Sequence, residues 1–388
     1  MHIIVLENEP SSFRGGQELS LFEVCSGLSQ RGHKISLVYV QEGDLLEQYR
    51  SFCDSIIKVN RYVFSRMRIT EVFDFIASLA TVSRKITTSE DSVIFSNQYH
   101  EAFFCSVLSF SKNIPFVCYL RIPPCDFNRQ KRLGLRGVKQ FIAVSNQTKF
   151  DWVNFGLKED KIEVIYNGTN PEKFNPLDNF SRKRKEWNVP EDIRVISYVG
   201  RLDQPKGLET LIKAFALLLK SGTSARLLIA GKPLVHKDET GKECPEKGEK
   251  YKQSLKQLST DLGIEKYVEF LGHVSNTTSL YQVSDVTVLP SLWSESFGRS
   301  IIESMACGTP VVASRIGGIP EILTGEFQNG LFKPGDERDL SDTIYRLMNW
   351  RYKDPQLGER CREHVLDKFV LDRTFDGIEK VLLSVVRK

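Results

Sequence analysis

Short apolar runs alternate with helical periods along most of the chain. Residues 3–6 are an apolar run stopped by Glu7, and a Gly-containing loop covers 10–16. Leu19, Leu21, Phe22 and Leu28 then recur at helical spacing, which predicts a helix over 17–30 closed by Gly32. Further strands are predicted at 34–39, 93–95, 115–120 and 141–144, with a helix opening near Glu101 and Ser145 placed to cap another. The pattern breaks near Asn167-Gly168. Pro171, Pro176, Asn179 and the charge run 182–185 mark a domain junction. It resumes with a strand at 195–199 and a helix at 207–219, one face of which carries Leu208, Leu211, Ile212, Phe215 and Leu218. Strands follow at 226–230, 268–271, 286–289 and 310–313, while 235–250 reads as a charged, loop-like insertion.

Such alternation implies parallel sheets covered by helices on both faces, an α/β class. A chain of 388 residues accommodates two such doubly wound domains. Ligands are then expected at the carboxyl ends of both sheets, in a cleft shared by two ligands.

Composition narrows the function classes. Apolar residues make up 41%, enough for ordinary cores, and a net charge of +4 does not imply nucleic acid. No apolar run approaches the roughly 18 residues of a membrane span, and the opening run is too short for a signal-peptide core. The eight cysteines form no CxxC pair; Cys25, Cys105, Cys118 and Cys307 lie in apolar segments as buried thiols. A reducing cytoplasm is the expected location.

Two segments carry chemistry. Gly200 to Gly207 follows a strand and opens a helix, with Arg201 and Lys206 straddling the turn. Backbone amides and a helix dipole already favour an anion there, and two cations suit a diphosphate. Glu295 precedes a Phe297-Gly298 turn, and Glu303 lies in the helix that this turn begins. The amides of Phe297, Gly298 and Arg299 are expected at that helix start, where they can meet phosphate or sugar oxygens. Two carboxylates and a row of amides suit a hydroxyl-rich ligand carrying a phosphate. No Asp-x-Asp pair occurs, which argues against a metal bridging the donor phosphates.

Arg201…Lys206 followed by Glu295…Glu303 and Cys307-Gly-Thr-Pro-Val-Val-Ala-Ser314 resembles glycosyltransferase family 4. Gly15-Gly16, Ala143-Val-Ser145, Val164-Ile-Tyr-Asn-Gly168, Phe270-Leu-Gly-His-Val274, Gly317-Gly-Ile-Pro-Glu321 and Asn329-Gly330 extend the likeness, which is densest over 195–335. The resemblance implies a GT-B fold, two Rossmann-like domains facing across a cleft. Residues 1–170 with a returning helix 366–388 would form the acceptor side, and 171–365 the nucleotide-sugar side. It implies a retaining, metal-independent hexosyltransferase without a cofactor. Arg201 and Lys206 would bind the donor diphosphate, Glu295 the donor sugar, Glu303 the ribose, and the backbone near Val274 the base. Gly15 and Gly16 would approach the diphosphate, and His100 would border the reacting sugar. Arg299 stands where the family commonly has an aliphatic residue. Arg121, at a strand end, marks either an anionic acceptor or an exposed arginine.

By family frequency the donor is UDP-glucose or another UDP-hexose. The acceptor is a sugar or lipid-linked oligosaccharide, in envelope or exopolysaccharide synthesis. Basic clusters at Lys58, Arg61, Arg66 and Arg68, and at Arg129, Lys131, Arg132, Arg136 and Lys139, fit either peripheral contact with the inner face of the plasma membrane or a solvated surface. The rival readings are a sugar-nucleotide epimerase or hydrolase on the same fold, and a non-enzymatic nucleotide-sugar sensor. A nicotinamide dehydrogenase would need G-x-G-x-x-G after the first strand, and residues 8–18 offer only Gly15-Gly16.

Overall fold

The computed structural model describes residues 1–64, 68–125, 127–177, 180–190, 192–237 and 243–386. The chain divides into two units, 1–167 with 371–388 and 168–370. In the first unit the strands are β1 (His2–Glu7), β2 (Lys34–Tyr39), β3 (Ser55–Lys58), β4 (Ser92–Ser96), β5 (Phe116–Leu120), β6 (Gln140–Ala143) and β7 (Ile162–Val164). They form one parallel sheet in the order β3-β2-β1-β4-β5-β6-β7, with Ile3 opposite both Ile35 and Val93. Its central strands are buried on both faces, which is why they read as unbroken apolar runs. The helices are α1 (Gly16–Gln30), α2 (Leu46–Arg50), α3 (Ile69–Lys85), α4 (Ala102–Lys112), α5 (Arg129–Arg136) and α6 (Asn146–Phe155). Ser145 caps α6 by accepting from the Thr148 amide. Right-handed crossovers put α3, α4, α5 and α6 together on one face of the sheet. The strand order reverses between β1 and β4, so the carboxyl ends of these two strands flank the expected ligand position.

The second unit contains α7 (Phe180–Glu186), β8 (Arg194–Val199), α8 (Leu208–Lys220), β9 (Ala225–Ala230), the hairpin β10 (His236–Lys237) and β11 (Glu243–Cys244), α9 (Pro245–Asp261) and β12 (Val268–Gly272). Then come α10 (Thr277–Val283), β13 (Val286–Leu289), α11 (Arg299–Ala306), β14 (Val311–Ser314), α12 (Ile319–Ile322), β15 (Leu331–Phe332), α13 (Glu337–Leu347), α14 (Trp350–Lys353) and α15 (Leu357–Lys368). Its main sheet is parallel, in the order β12-β9-β8-β13-β14-β15, with the reversal between β8 and β13.

A buried charge cluster holds α7 and α14 to this sheet. Asp285, 3% exposed just before β13, lies 3.3 Å from Arg184 and 3.5 Å from Arg351, and accepts from the Val195 amide at 2.8 Å. Burial lowers the Arg351 guanidinium to about 10 against the opposing pull of Asp285.

Two expectations are corrected. Residues 245–250 are not loop but the first turns of α9, with Pro245 at the start of the helix. The helix is polar on most sides and offers the hydrophobic core a narrow seam of Tyr251, Leu255 and Leu258, with Leu262 just beyond its end, so its period is faint in the sequence. The returning helix does not span 366–388. The helix breaks at Phe369-Val370, where the Thr169 amide donates to Phe369 O at 2.8 Å and Thr169 bridges to Val370. α15 therefore ends in the second unit, and α16 (Leu371–Val386) alone joins the first. α16 packs on α1, burying Phe375, Ile378 and Leu382. Arg31, just after α1, ion-pairs with Asp376 and Glu379 at 2.8 Å each, and His33 meets Glu379 at 2.6 Å.

Candidate active site

The second unit's site is built at the carboxyl ends of β8 and β13. After β8 the chain turns through Gly200 and makes a 3-10 turn at Gln204–Lys206 before α8. After β13 the loop 290–298 lies against that turn, with the Leu292 amide donating to Pro205 O at 2.8 Å. Lys206 Nζ is thereby set 2.6 Å from Glu295 Oε2, and Ser291 Oγ donates to the same oxygen at 3.1 Å. Both charged side chains are 21% exposed, partly desolvated yet open to a ligand. Burial pushes the Glu295 carboxyl up, but the Lys206 charge and hydrogen bond, Ser291 and Arg201 outweigh it and hold it below the ordinary glutamate value. Glu295 is therefore a carboxylate at neutral pH, suited to accept hydroxyl hydrogens and not to donate a proton.

The Glu295 backbone is fixed from the other side. Gly318 N donates to Glu295 O at 2.7 Å, and a Cβ on Gly317 would fall 2.2 Å from that carbonyl. Gly317→Ala must shift Glu295. A displacement near 1 Å costs about 10²-fold in rate at a reacting centre. The expected outcome is a drop in turnover of that order, and steady-state kinetics of the variant will measure it; unchanged kinetics would count against Glu295 as a positioned group.

α11 begins at Gly298, whose φ of +100° suits only glycine, and no side chain caps the helix. The Phe297 ring is 3% exposed and packs on Phe369 at 5.8 Å. Glu303, one turn into α11, is 14% exposed and is not the free surface residue that an isolated helical glutamate would be. Tyr281 Oη donates to Glu303 Oε2 at 3.0 Å, and Arg299 lies 3.4 Å from Oε1. Arg299, unusual in sequence, thus acts on Glu303 through its side chain. Neither Tyr281 nor Ser291 stands out in the sequence as a site residue. Ser291 sits four residues before Glu295, a signal too weak to single it out, and nothing local connects Tyr281 to Glu303. Arg201 is exposed, and its carbonyl accepts from the buried Tyr198 hydroxyl at 2.7 Å. Val274 follows β12 and is half-buried against the core.

In the first unit, Gly15 precedes α1 with a φ of +142°, and Gly16 is the first helical residue. His100 sits in a 3-10 turn after β4, stacked on Tyr99 at 4.2 Å. Its Nδ1 is 3.0 Å from Gln98 Oε1, and Gln98 reaches Gln17 of α1 at 2.8 Å. These contacts link His100 through Gln98 to the first turn of α1. Arg121 is not exposed. It is 3% accessible, lies over the Tyr119 ring at 3.9 Å, and donates to Asn97, Ser20 and Asn167. Its guanidinium is committed to joining the ends of β4 and β5 to α1. The first basic cluster is partly neutralised: Lys58 pairs with Glu42, Arg61 with Glu71 and Asp74, and Arg68 with Glu71. Arg66 lies outside the described residues.

Each unit is thus a parallel sheet flanked by helices, and the second carries a lysine–glutamate pair and a second glutamate at the carboxyl edge of its sheet. The model of glycosyl transferases group 1 matches residues 179–364, and that of glycosyltransferase family 4 matches residues 14–173. The chain belongs to glycosyltransferase family 4. It is 32% identical over 255 residues to an uncharacterized glycosyltransferase of Methanocaldococcus jannaschii, covering 64% of this chain and 60% of that one. It is 28% identical over 263 residues to the N-acetyl-alpha-D-glucosaminyl L-malate synthase of Bacillus anthracis, covering 68% and 64%. The chain thus spans less than two thirds of the length of these curated relatives. Among solved structures, Anabaena HepE in complex with UDP-glucose superposes with a TM-score of 0.80 at 23% identity, over 99% of this chain and 100% of that one. A Rickettsia africae glycosyltransferase superposes at 0.82 with 19% identity, over 100% and 99%.

Proposed function

We propose that the chain is a retaining, metal-independent hexosyltransferase using a UDP-hexose donor, with UDP-glucose the first candidate, and a sugar or lipid-linked acceptor in envelope or exopolysaccharide synthesis. The observation that carries the donor reading is the Lys206–Glu295 pair at 2.6 Å, beside an uncapped helix start whose first turn leads to Glu303. In this reading Arg201 and Lys206 hold the diphosphate, and Glu295 holds hydroxyls of the transferred sugar. Glu303, oriented by Tyr281 and Arg299, takes the ribose diol, and the backbone near Val274 meets the base. As the glycosidic bond breaks, negative charge grows on the leaving diphosphate. Cations fixed at that spot stabilise the transition state more than the ground state. The acceptor attacks on the face from which the diphosphate leaves, and the departing phosphate takes the acceptor proton. Gly15, Gly16 and His100 serve the reacting end of the donor. Complexes of HepE with UDP, UDP-glucose and glucose support the choice of donor.

The test is a thermal-shift screen across nucleotide sugars, followed by turnover in excess EDTA. The expected outcome is stabilisation by one UDP-hexose and full activity without free metal. A strict metal requirement would overturn the mechanism. Rapid hydrolysis or epimerisation of donor without acceptor would identify one of the rival reactions instead, and ligand-induced stabilisation without any turnover would identify a sensor.

A further inference from the structure

α3 is built the wrong way round for a helix that only covers a sheet. Phe75, Ser78 and Val82 face the core, but Ile69, Phe73 and Ile76 are 72%, 67% and 55% exposed. Their spacing of four and three residues puts them on one outward stripe, continued by exposed Ala77 and Ala80. Arg68 and Arg84, both exposed, stand at its two ends. The acidic residues of α3 do not interrupt the stripe: Glu71 pairs with Arg61 and Arg68, and Asp74 with Arg61.

The same helical layer supplies complementary chemistry. α3 packs on α4 through Phe75 against Phe103 and Phe104, and α5 packs on α4 in turn. The Gln130 side chain of α5 reaches Phe64 O, just ahead of α3, at 2.8 Å. α4 and α5 contain no carboxylate, and Phe110 of α4 is 91% exposed. Arg129, Arg132 and Arg136 on α5, with Lys139 beyond it, are exposed and form no ion pair with a described residue.

We propose that this layer docks on an anionic lipid surface, with the α3 stripe entering the headgroup boundary and the α5 cations meeting lipid phosphates. Bare aliphatic and aromatic groups flanked by cations fit an interfacial helix. A nucleic acid would leave the stripe unused. A second copy of the chain would bring two sets of α5 cations face to face. The proposal stands independently of the donor reading, because none of these residues belongs to the site of the second unit.

The experiment is co-sedimentation of the whole protein with phosphatidylcholine vesicles, with and without phosphatidylglycerol, at low and high salt. Binding to the anionic vesicles at low salt is expected, with little to the neutral ones. Phe73→Glu with Ile76→Glu should weaken it at least tenfold, and Arg132→Ser with Arg136→Ser should remove most of the preference for anionic lipid. Both double variants change exposed side chains, so an unchanged thermal midpoint and unchanged donor binding verify that the fold persists. No binding at low salt overturns the proposal, and wild-type binding by the α3 variant overturns the assignment to this stripe. A dimer that the α3 variant dissociates, without vesicle binding, identifies a second copy as the true occupant.

Discussion

Lys206→Ala is expected to lose roughly 10²–10³ in turnover, the usual cost of removing one preorganised donor from a developing charge. The structure gives reasons why the loss should fall on chemistry and not on folding. Lys206 closes a surface turn, its side chain is 21% exposed, and its principal bond is to Glu295. Removing the ammonium also frees Glu295 from the charge that holds it ionised against burial. The sign follows from that depressed value. The pair contributes fully above the ordinary glutamate range, and its contribution is lost as pH falls through the lower value in the folded state. In the variant the carboxyl should titrate at higher pH. Lys206→Arg keeps the charge but not its shape, and should recover only part of the rate. Initial rates under saturating donor, with circular dichroism as the control, decide the matter; near-wild-type turnover would remove Lys206 from the mechanism.

Asp285→Ala should be the most damaging single change to stability, at about 3–5 kcal/mol. It leaves Arg184, 1% exposed, and Arg351, 26% exposed, facing each other without their shared counter-ion. It also removes the acceptor for the Val195 amide at the start of β8. Asp285→Asn separates the two contributions, because its amide oxygen can still serve Val195 while the charge is gone. Equilibrium denaturation in urea should show both variants destabilised, the alanine variant more. A loss under about 1 kcal/mol for Asp285→Ala would mean that the two arginines are hydrated in spite of their burial.

The sequence was most informative where function is local. β8, β9, β13 and β14 appear as short apolar runs because they are buried in the middle of the second unit's sheet, and Glu295 and Glu303 fall in the loop and helix that the Phe297-Gly298 turn predicts. It was least informative where long-range contact decides. Arg121 reads as a strand-end cation, and only the fold shows Ser20, Asn97 and Asn167 converging on it. Tyr281 is distant in sequence from Glu303 and reaches it because α10 packs on α11. Residues 40–90 hold β3 and α3, yet α3 carries apolar residues both inward and outward, which blurs the one-sided period by which such helices are recognised. α9 fails for the opposite reason, having too few apolar residues to show any period.

The docking of α16 on α1 sets an order of events during synthesis. The first unit's sheet emerges from the ribosome with the α16 side of its core uncovered, because Phe375, Ile378 and Leu382 are encoded after the whole second unit. At translation speeds of about 5–20 residues per second, that surface waits roughly ten to forty seconds for its last helix. The second unit, continuous in the chain, can finish folding in the meantime. The partner charges that receive Arg31 and His33 arrive last, so nascent chains stalled before residue 371 should be the ones that chaperones hold and proteases cut within residues 1–167.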